Sequence, residues 1–166
     1  RSRDESVNRA ERDADYWVFG GIFRPVYLDV RPPSSIRRVA IAADHSGELE
    51  LAIELLGDRG RRLEIEIRDP SSGSIVDSTS VPVAGDRVEL RRRVGSIRAW
   101  SAEFPQLYEM DLALLDRDGA VLHRQVERFG FRSVEVRPGE GLFVNDRRVL
   151  LKGINRHSFW PSTGRT

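Results

Sequence analysis

Residues 37–70 read RRVAIAADHSGELELAIELLGDRGRRLEIEIRDP, and this stretch decides the fold. Val39, Ile41 and Ala43 alternate with Arg38, Ala40 and Ala42. After the DHSG turn, Leu49, Leu51, Ile53 and Leu55 alternate with Glu48, Glu50, Ala52 and Glu54. After GDRG, Leu63, Ile65 and Ile67 alternate with Arg62, Glu64, Glu66 and Arg68. Successive side chains of a strand point to opposite faces, so an apolar period of two marks half-buried strands.

Downstream, DPSSGS makes the next turn and a weaker strand is expected over Ile75–Val83. Val88, Leu90 and Arg92 mark another strand, and Tyr108, Met110, Leu112 and Leu114 a further one. A long last strand is expected from Val121 to Val136, bent near Gly130. Strands at this spacing, with short turns and no helical period, predict an all-β chain. The specific expectation is an immunoglobulin-like β-sandwich of about seven strands, with flanking segments from neighbouring domains. Tyr108 opens the penultimate strand, where a buried phenol can bond backward to the chain and pin a corner between sheets. Met110 stands where antibody domains carry a disulfide cysteine, and the chain has no Cys. Its core must therefore hold by packing, each buried Leu or Ile contributing about 1.5–3 kcal/mol.

The flanks have a different character. Residues 1–15 are polar without an apolar period and read as a loop or frayed end. YWVFGGIFRPVYLDVRPP, residues 16–33, reads as a turn feeding a strand over Val26–Val30 that Pro32-Pro33 stops. GLFVNDRRVLLKG, residues 141–153, reads as a hairpin: Leu142–Val144, an Asn145-Asp146 turn, then Val149–Leu151. The expected organisation is three segments, 1–33, 34–137 and 138–166. The chain begins at Arg1 rather than Met, as expected of a piece of something longer.

Composition bounds the function. The charge is balanced, with 27 basic and 26 acidic residues, which argues against nucleic-acid binding. No run of about 18 apolar residues occurs, so no membrane partner is expected. Lys152 is the only lysine, and the abundance of Arg reads as coding bias. His45 in the DHSG turn and His123 on a strand read as solvated residues, and three scattered His make no metal site. Arg91-Arg92-Arg93 reads as a solvated strand end. Trp100 and Pro105 bracket SAEF in a packed connection. Trp17, Phe19 and Phe23 read as apolar surface that needs a cover, and without one predict self-association.

Three ordered stretches carry a family resemblance: GGIFRPVYLDVRP (20–32), AWSAEFPQLYEMDLALLDRDG with GFRSVEV (99–119 and 130–136), and LFVNDRRVLLKGINRH (142–157). They resemble bacterial glycoside hydrolases of family two, and most closely its β-galactosidases. The resemblance implies the end of a sugar-binding jelly roll in 1–33, an immunoglobulin-like sandwich in 34–137, and the entry hairpin and first strand of a catalytic barrel in 138–166. It implies that His157 hydrogen-bonds the sugar near the scissile bond, and that Arg156, Asn155 and Trp160 line the same wall. At the other end it implies that Asp13 or Asp15 reaches a sugar hydroxyl and a bound cation. The full-length enzyme would use a monovalent or divalent cation, whereas no cofactor is expected in this chain. Partners would be the other domains, a carbohydrate substrate and a second copy of the enzyme. Cytoplasm and periplasm stay open. Many β-galactosidases continue after this histidine with Glu and further His, where this chain has Ser158, Phe159, Trp160 and Pro161.

Retaining glycosidases need two carboxyl groups about 5–5.5 Å apart. By resemblance both are glutamates on later barrel strands, so this chain alone is expected to be inactive. The alternative is a stand-alone immunoglobulin-like carbohydrate-binding or adhesion module, with a fibronectin-like interaction domain as a third reading. No aromatic residue occurs between Ser34 and Ala99, which disfavours sugar stacking by the sandwich.

Overall fold

In the computed structural model the described residues are 3–13, 22 and 24–155, without the Glu11 side chain. Residues 30–150 form one unit, and the described residues on either side belong to a second. The strands of the first are β1 (Ser35–Ala43), β2 (Glu48–Leu56), β3 (Arg62–Asp69), β4 (Ser74–Pro82), β5 (Arg87–Arg93), β6 (Tyr108–Leu115), β7 (Val121–Phe129), β8 (Val134–Arg137), β9 (Gly141–Val144) and β10 (Arg147–Val149).

The expected immunoglobulin-like sandwich forms. One sheet has the order β1-β2-β5 and the other β4-β3-β6-β7. All their pairings are antiparallel. The alternating residues fill the space between the sheets. Leu49, Leu51, Ile53 and Leu55 of β2 are buried, as are Leu63, Ile65 and Ile67 of β3 and Tyr108, Met110, Leu112 and Leu114 of β6. Met110 has no exposed surface, so a thioether fills the disulfide position. The Glu and Arg that alternate with the core pair along the outer faces, as in Arg91–Glu50 at 2.8 Å and Arg62–Glu64 at 3.2 Å. Such exposed pairs add little to stability.

The edges of the two sheets are tied to each other. On one side, Arg92 of β5 grips Asp77 of β4 with two parallel bonds of 2.8 and 2.7 Å. The run Arg91-Arg92-Arg93 is therefore not simply solvated: Arg92 is half-buried and Arg93 meets Glu48 at 3.2 Å. On the other side, the Ile36 amide of β1 donates to His123 Nδ1 on β7 at 3.3 Å. His123 is thus an acceptor between sheets, not a solvated residue. A single sequence cannot show this, because the partner lies 87 residues away.

The chain crosses between sheets over residues 94–107, and this link is fixed at Arg98. The Arg98 amide donates to the buried Tyr108 hydroxyl at 2.8 Å, the backward bond expected of that tyrosine. The Arg98 guanidinium reaches Asp69 Oδ2 at 2.6 Å. Asp69 also accepts from the Ser71 amide and hydroxyl, at 2.9 and 2.6 Å, and so shapes the β3–β4 turn. Gly47 shows a complementary constraint. Its φ is +93°, its carbonyl accepts from Val94, and a Cβ there would meet Val94 O at 2.4 Å.

Three expectations change. Residues 1–15 include a helix, α1 (Glu5–Arg12). Its signal is capping rather than period: Asp4 Oδ1 accepts from the Ser6 amide at 2.9 Å, Glu5 lies in the first turn, and Arg9 and Arg12 lie in the last. Val26–Val30 is not a strand, and Val26, Tyr27, Leu28 and Val30 are all exposed. Apolar alternation makes a strand only where a neighbouring strand supplies the ladder. The long strand from Val121 to Val136 is two strands in two sheets. The chain leaves β7 at Gly130, where a Cβ would stand 3.0 Å from Trp100 Cβ and 3.1 Å from Gln106 O. Phe131 then turns fully into the core, edge-on to Tyr108 with ring centroids 5.4 Å apart. The turn and strand start read in residues 16–25, and Trp17, Phe19 and Phe23, lie outside the described residues apart from Ile22, Arg24 and Pro25.

Two predictions follow from the Arg98 tie. Tyr108→Phe removes the partner of the Arg98 amide in this part-buried bond, and should destabilise the chain by about 0.5–1.5 kcal/mol in urea unfolding at unchanged slope. The Asp69 carboxyl is held down to about 2 from 3.8, first by the Ser71 hydroxyl, then by the Ser71 amide and Arg98, against an opposing effect of burial. A lowered carboxyl stabilises above its unfolded value and loses that contribution as pH falls through the folded one. The stability advantage of the native chain over Asp69→Asn should therefore shrink between about pH 4 and pH 2. An advantage flat across that window would show that the carboxylate does not couple to folding.

Candidate functional site: the tie between the sandwich and the third sheet

Beyond β7 the hairpin anticipated from Asn145-Asp146 forms, and β8 joins it in a third sheet of order β10-β9-β8. Asn145 and Asp146 take φ of 49° and 60°, the left-handed turn that these two residue types tolerate. The second strand ends at Val149, so Leu150 and Leu151 lie beyond the ladder.

Register sorts the third sheet into two faces. Val134 lies opposite Val144 and Val136 opposite Leu142, which in turn lies opposite Val149. These five apolar residues share one face with Arg147. Val134 and Val136 are 60% and 74% exposed while Leu142, Val144 and Val149 are half-buried, so this face is open along β8. The opposite face carries Glu135, Arg137, Phe143 and Arg148. There the Arg137 guanidinium lies 4.0 Å from the Phe143 ring centroid and also meets Glu135 at 2.8 Å and Asp146 at 3.2 Å. Arg137 holds the Glu135 carboxyl below its usual range, chiefly by that hydrogen bond.

One residue ties this sheet to the sandwich. The Asn145 side-chain oxygen accepts from the Ser133 amide at 3.1 Å, and its Nδ2 donates to the Trp100 carbonyl at 2.8 Å. Its own amide donates to the Ser133 carbonyl at 3.1 Å. Trp100 is held in turn, its amide donating to Phe131 O and its ring lying under Arg132 at 4.7 Å. The Arg132 amide donates to Ala43 at the end of β1. The hairpin turn, the long link and the end of β7 thus share one hydrogen-bonded knot. Sequence reasoning finds Asn145 only as a turn residue, because its side-chain partners lie 12 and 45 residues away. His45 is another departure. It is half-buried beside Ser133, Asp44 and Asp146 rather than solvated.

Of the six residues expected to meet a sugar, two are described. Asp13 is exposed and closes α1, its amide donating to the Arg9 carbonyl at 2.9 Å. Asn155 is exposed on the segment after β10. Asp15, Arg156, His157 and Trp160 lie outside the described residues. Among the described residues no three His, Cys, Asp or Glu side chains cluster as metal ligands. Asp4, Asp44, Asp69 and Glu135 are all held below the ordinary carboxylate range. A glycosidase acid needs the opposite shift.

Comparison with known proteins agrees with that architecture. A family model, glycosyl hydrolases family 2, matches residues 34–132. A β-galactosidase of Halalkalibacterium halodurans is 33% identical over 92% of this chain, which covers 16% of that protein. One from Streptococcus thermophilus is 32% identical over 92% of this chain and 15% of its own length. The chain thus spans about a sixth of the length of these relatives. Among solved structures, a β-glucuronidase from Ruminococcus gnavus aligns with TM-score 0.63 at 26% identity, over 81% of this chain and 22% of that one. A β-glucuronidase from Bifidobacterium dentium aligns with TM-score 0.67 at 23% identity, over 81% and 23%, which speaks for the fold alone. The sandwich, its pinned tyrosine corner and the match across 34–132 together show that this chain belongs to glycosyl hydrolases family 2.

Proposed function

We propose that this chain is the non-catalytic sandwich segment of a longer retaining β-glycosidase, and that its work is to space and hold the parts that bind and cleave the sugar. The observation that carries this reading is the third sheet. It is tied to the sandwich end through Asn145, yet its apolar face of Val134, Val136, Leu142, Val144 and Val149 is open along β8, at Val134 and Val136. A three-stranded sheet is stable when its apolar face is packed, and an open apolar face marks an interaction surface. The rest of the enzyme supplies that cover, and the chain enters it from β10.

The proposed substrates are terminal β-D-galactosides, after the similar β-galactosidases. In the full-length enzyme His157, Arg156, Asn155 and Trp160 would line the sugar site from one side, and Asp13 or Asp15 from the other. The two catalytic carboxyl groups would come from the later barrel strands. A stand-alone sugar-binding module fits less well. Such a module stacks rings on sugars, whereas Trp100 is half-buried and engaged by Arg132.

Chromogenic substrates test both halves of the proposal. The purified 166-residue chain should show no turnover of a nitrophenyl β-galactoside or β-glucuronide above a blank. The full-length enzyme should hydrolyse the galactoside and prefer it to the glucuronide. Turnover by the chain alone would sink the non-catalytic role, and a preference for the glucuronide would replace the substrate. In the full-length enzyme His157→Ala should lower kcat/KM about ten- to a hundredfold, the worth of one charge-assisted hydrogen bond of ~1.5–3 kcal/mol. Its Tm should stay unchanged.

A further inference from the structure

His45 sits in the turn between β1 and β2, and oxygens face both of its ring nitrogens. Nδ1 lies 2.9 Å from Ser133 Oγ and 3.3 Å from Asp44 Oδ2. Nε2 lies 3.2 Å from Asp146 Oδ2. The ring therefore touches three separate segments: its own turn, the β7–β8 link and the β9–β10 turn. Ser133 and Asp146 flank the same knot that Asn145 makes.

A neutral imidazole has one N–H. With that proton on Nε2, the ring donates to Asp146 and accepts the Ser133 hydroxyl at Nδ1. The Asp44 carboxylate then faces a lone pair. An imidazolium donates from both nitrogens, to Asp146 on one side and toward Asp44 on the other, and bonds to an ionised partner are the stronger kind. We propose that His45 is a positioning residue that clamps the β9–β10 hairpin to the end of the sandwich, and that protonation of its ring tightens the clamp.

The surrounding charges fit that role. Asp44 is held below the usual carboxylate range, first by the Ser46 amide, and so stays charged where a histidine titrates. Asp146 is shared with Arg137, which also binds Glu135 on the same sheet. Glu48 at the start of β2 is engaged by Arg93, and Arg132 lies over Trp100. Both carboxylates nearest the ring are thus placed to accept from its nitrogens. One consequence rests on the reading under Proposed function: β10 leads to Asn155, Arg156 and His157, so the clamp would act through the hairpin on residues that meet the sugar.

Amide hydrogen exchange of the 166-residue chain, expressed as protection factors at pH 7.5 and 5.5, tests the clamp. The reporter is the Asn145 amide, which donates to Ser133 where the hairpin turn meets the β7–β8 link that His45 also touches. Amides of Ile53 and Leu112 in the sandwich serve as controls. In the native chain Asn145 protection should be about threefold higher at pH 5.5 while the controls stay level, a gain in the range of a partly exposed ion pair. His45→Ala should lower Asn145 protection and abolish its pH response. His45→Gln, which keeps one donor, should recover part of the protection without the response. Equal Asn145 protection at both pH values in the native chain would overturn the proposal, and so would a response that survives in His45→Ala. This readout needs no turnover, so failure of the glycosidase assays would sink the functional reading without touching the clamp.

Discussion

The hydrogen bond from the Arg98 amide to the Tyr108 hydroxyl fixes the longest of the three links by which this chain passes between the sandwich sheets. The link over 94–107 has no ladder of its own, so its polar groups need other partners. Tyr108 supplies one from a buried ring, and an amide left without its bond would lower stability. The Arg98 side chain then reaches Asp69, which also shapes the β3–β4 turn. A single residue thereby fastens the link to a core ring with its backbone and to a turn with its side chain. Without that fastening the two sheets would share a core but not a fixed crossing.

The same logic of paired polar groups closes the edges. No disulfide joins the sheets, and the centre is aliphatic with Met110 at the crosslink position. Dispersion and burial hold the middle but do not choose which edges meet. Asp77 with Arg92 on one side, and Ile36 with His123 on the other, make that choice by directional bonds. The outer faces carry many Arg–Glu pairs, and their part is to keep the outer surface polar rather than to stabilise the fold.

The third sheet extends the scaffold beyond the sandwich. Asn145 takes a left-handed turn conformation and spends its side chain on Ser133 and Trp100. A turn residue thus becomes the anchor of a sheet. With one face occupied by Arg137 over Phe143 and the other apolar and open, the small sheet is built to be tied on one side and covered on another. The chain belongs to glycosyl hydrolases family 2 and spans about a sixth of the length of a similar β-galactosidase.

The sequence by itself determined the strands of the sandwich. A period of two in Leu49–Leu55, Leu63–Ile67 and Tyr108–Leu114 is a local property, and only one way of burying it removes the leucines from water while leaving the glutamates in it. It also determined the tyrosine corner, the hairpin turn at Asn145-Asp146 and, through three ordered motifs, the family. Tertiary structure alone decided the rest. Val26–Val30 alternates like a strand yet finds no ladder, because a strand needs a partner that sequence does not name. Val121–Val136 looks continuous yet divides between two sheets at Gly130, because Trp100, thirty residues earlier, occupies the space beside it. His45, His123 and Asn145 take their meaning from groups 12 to 101 residues away, a separation across which no local pattern carries information.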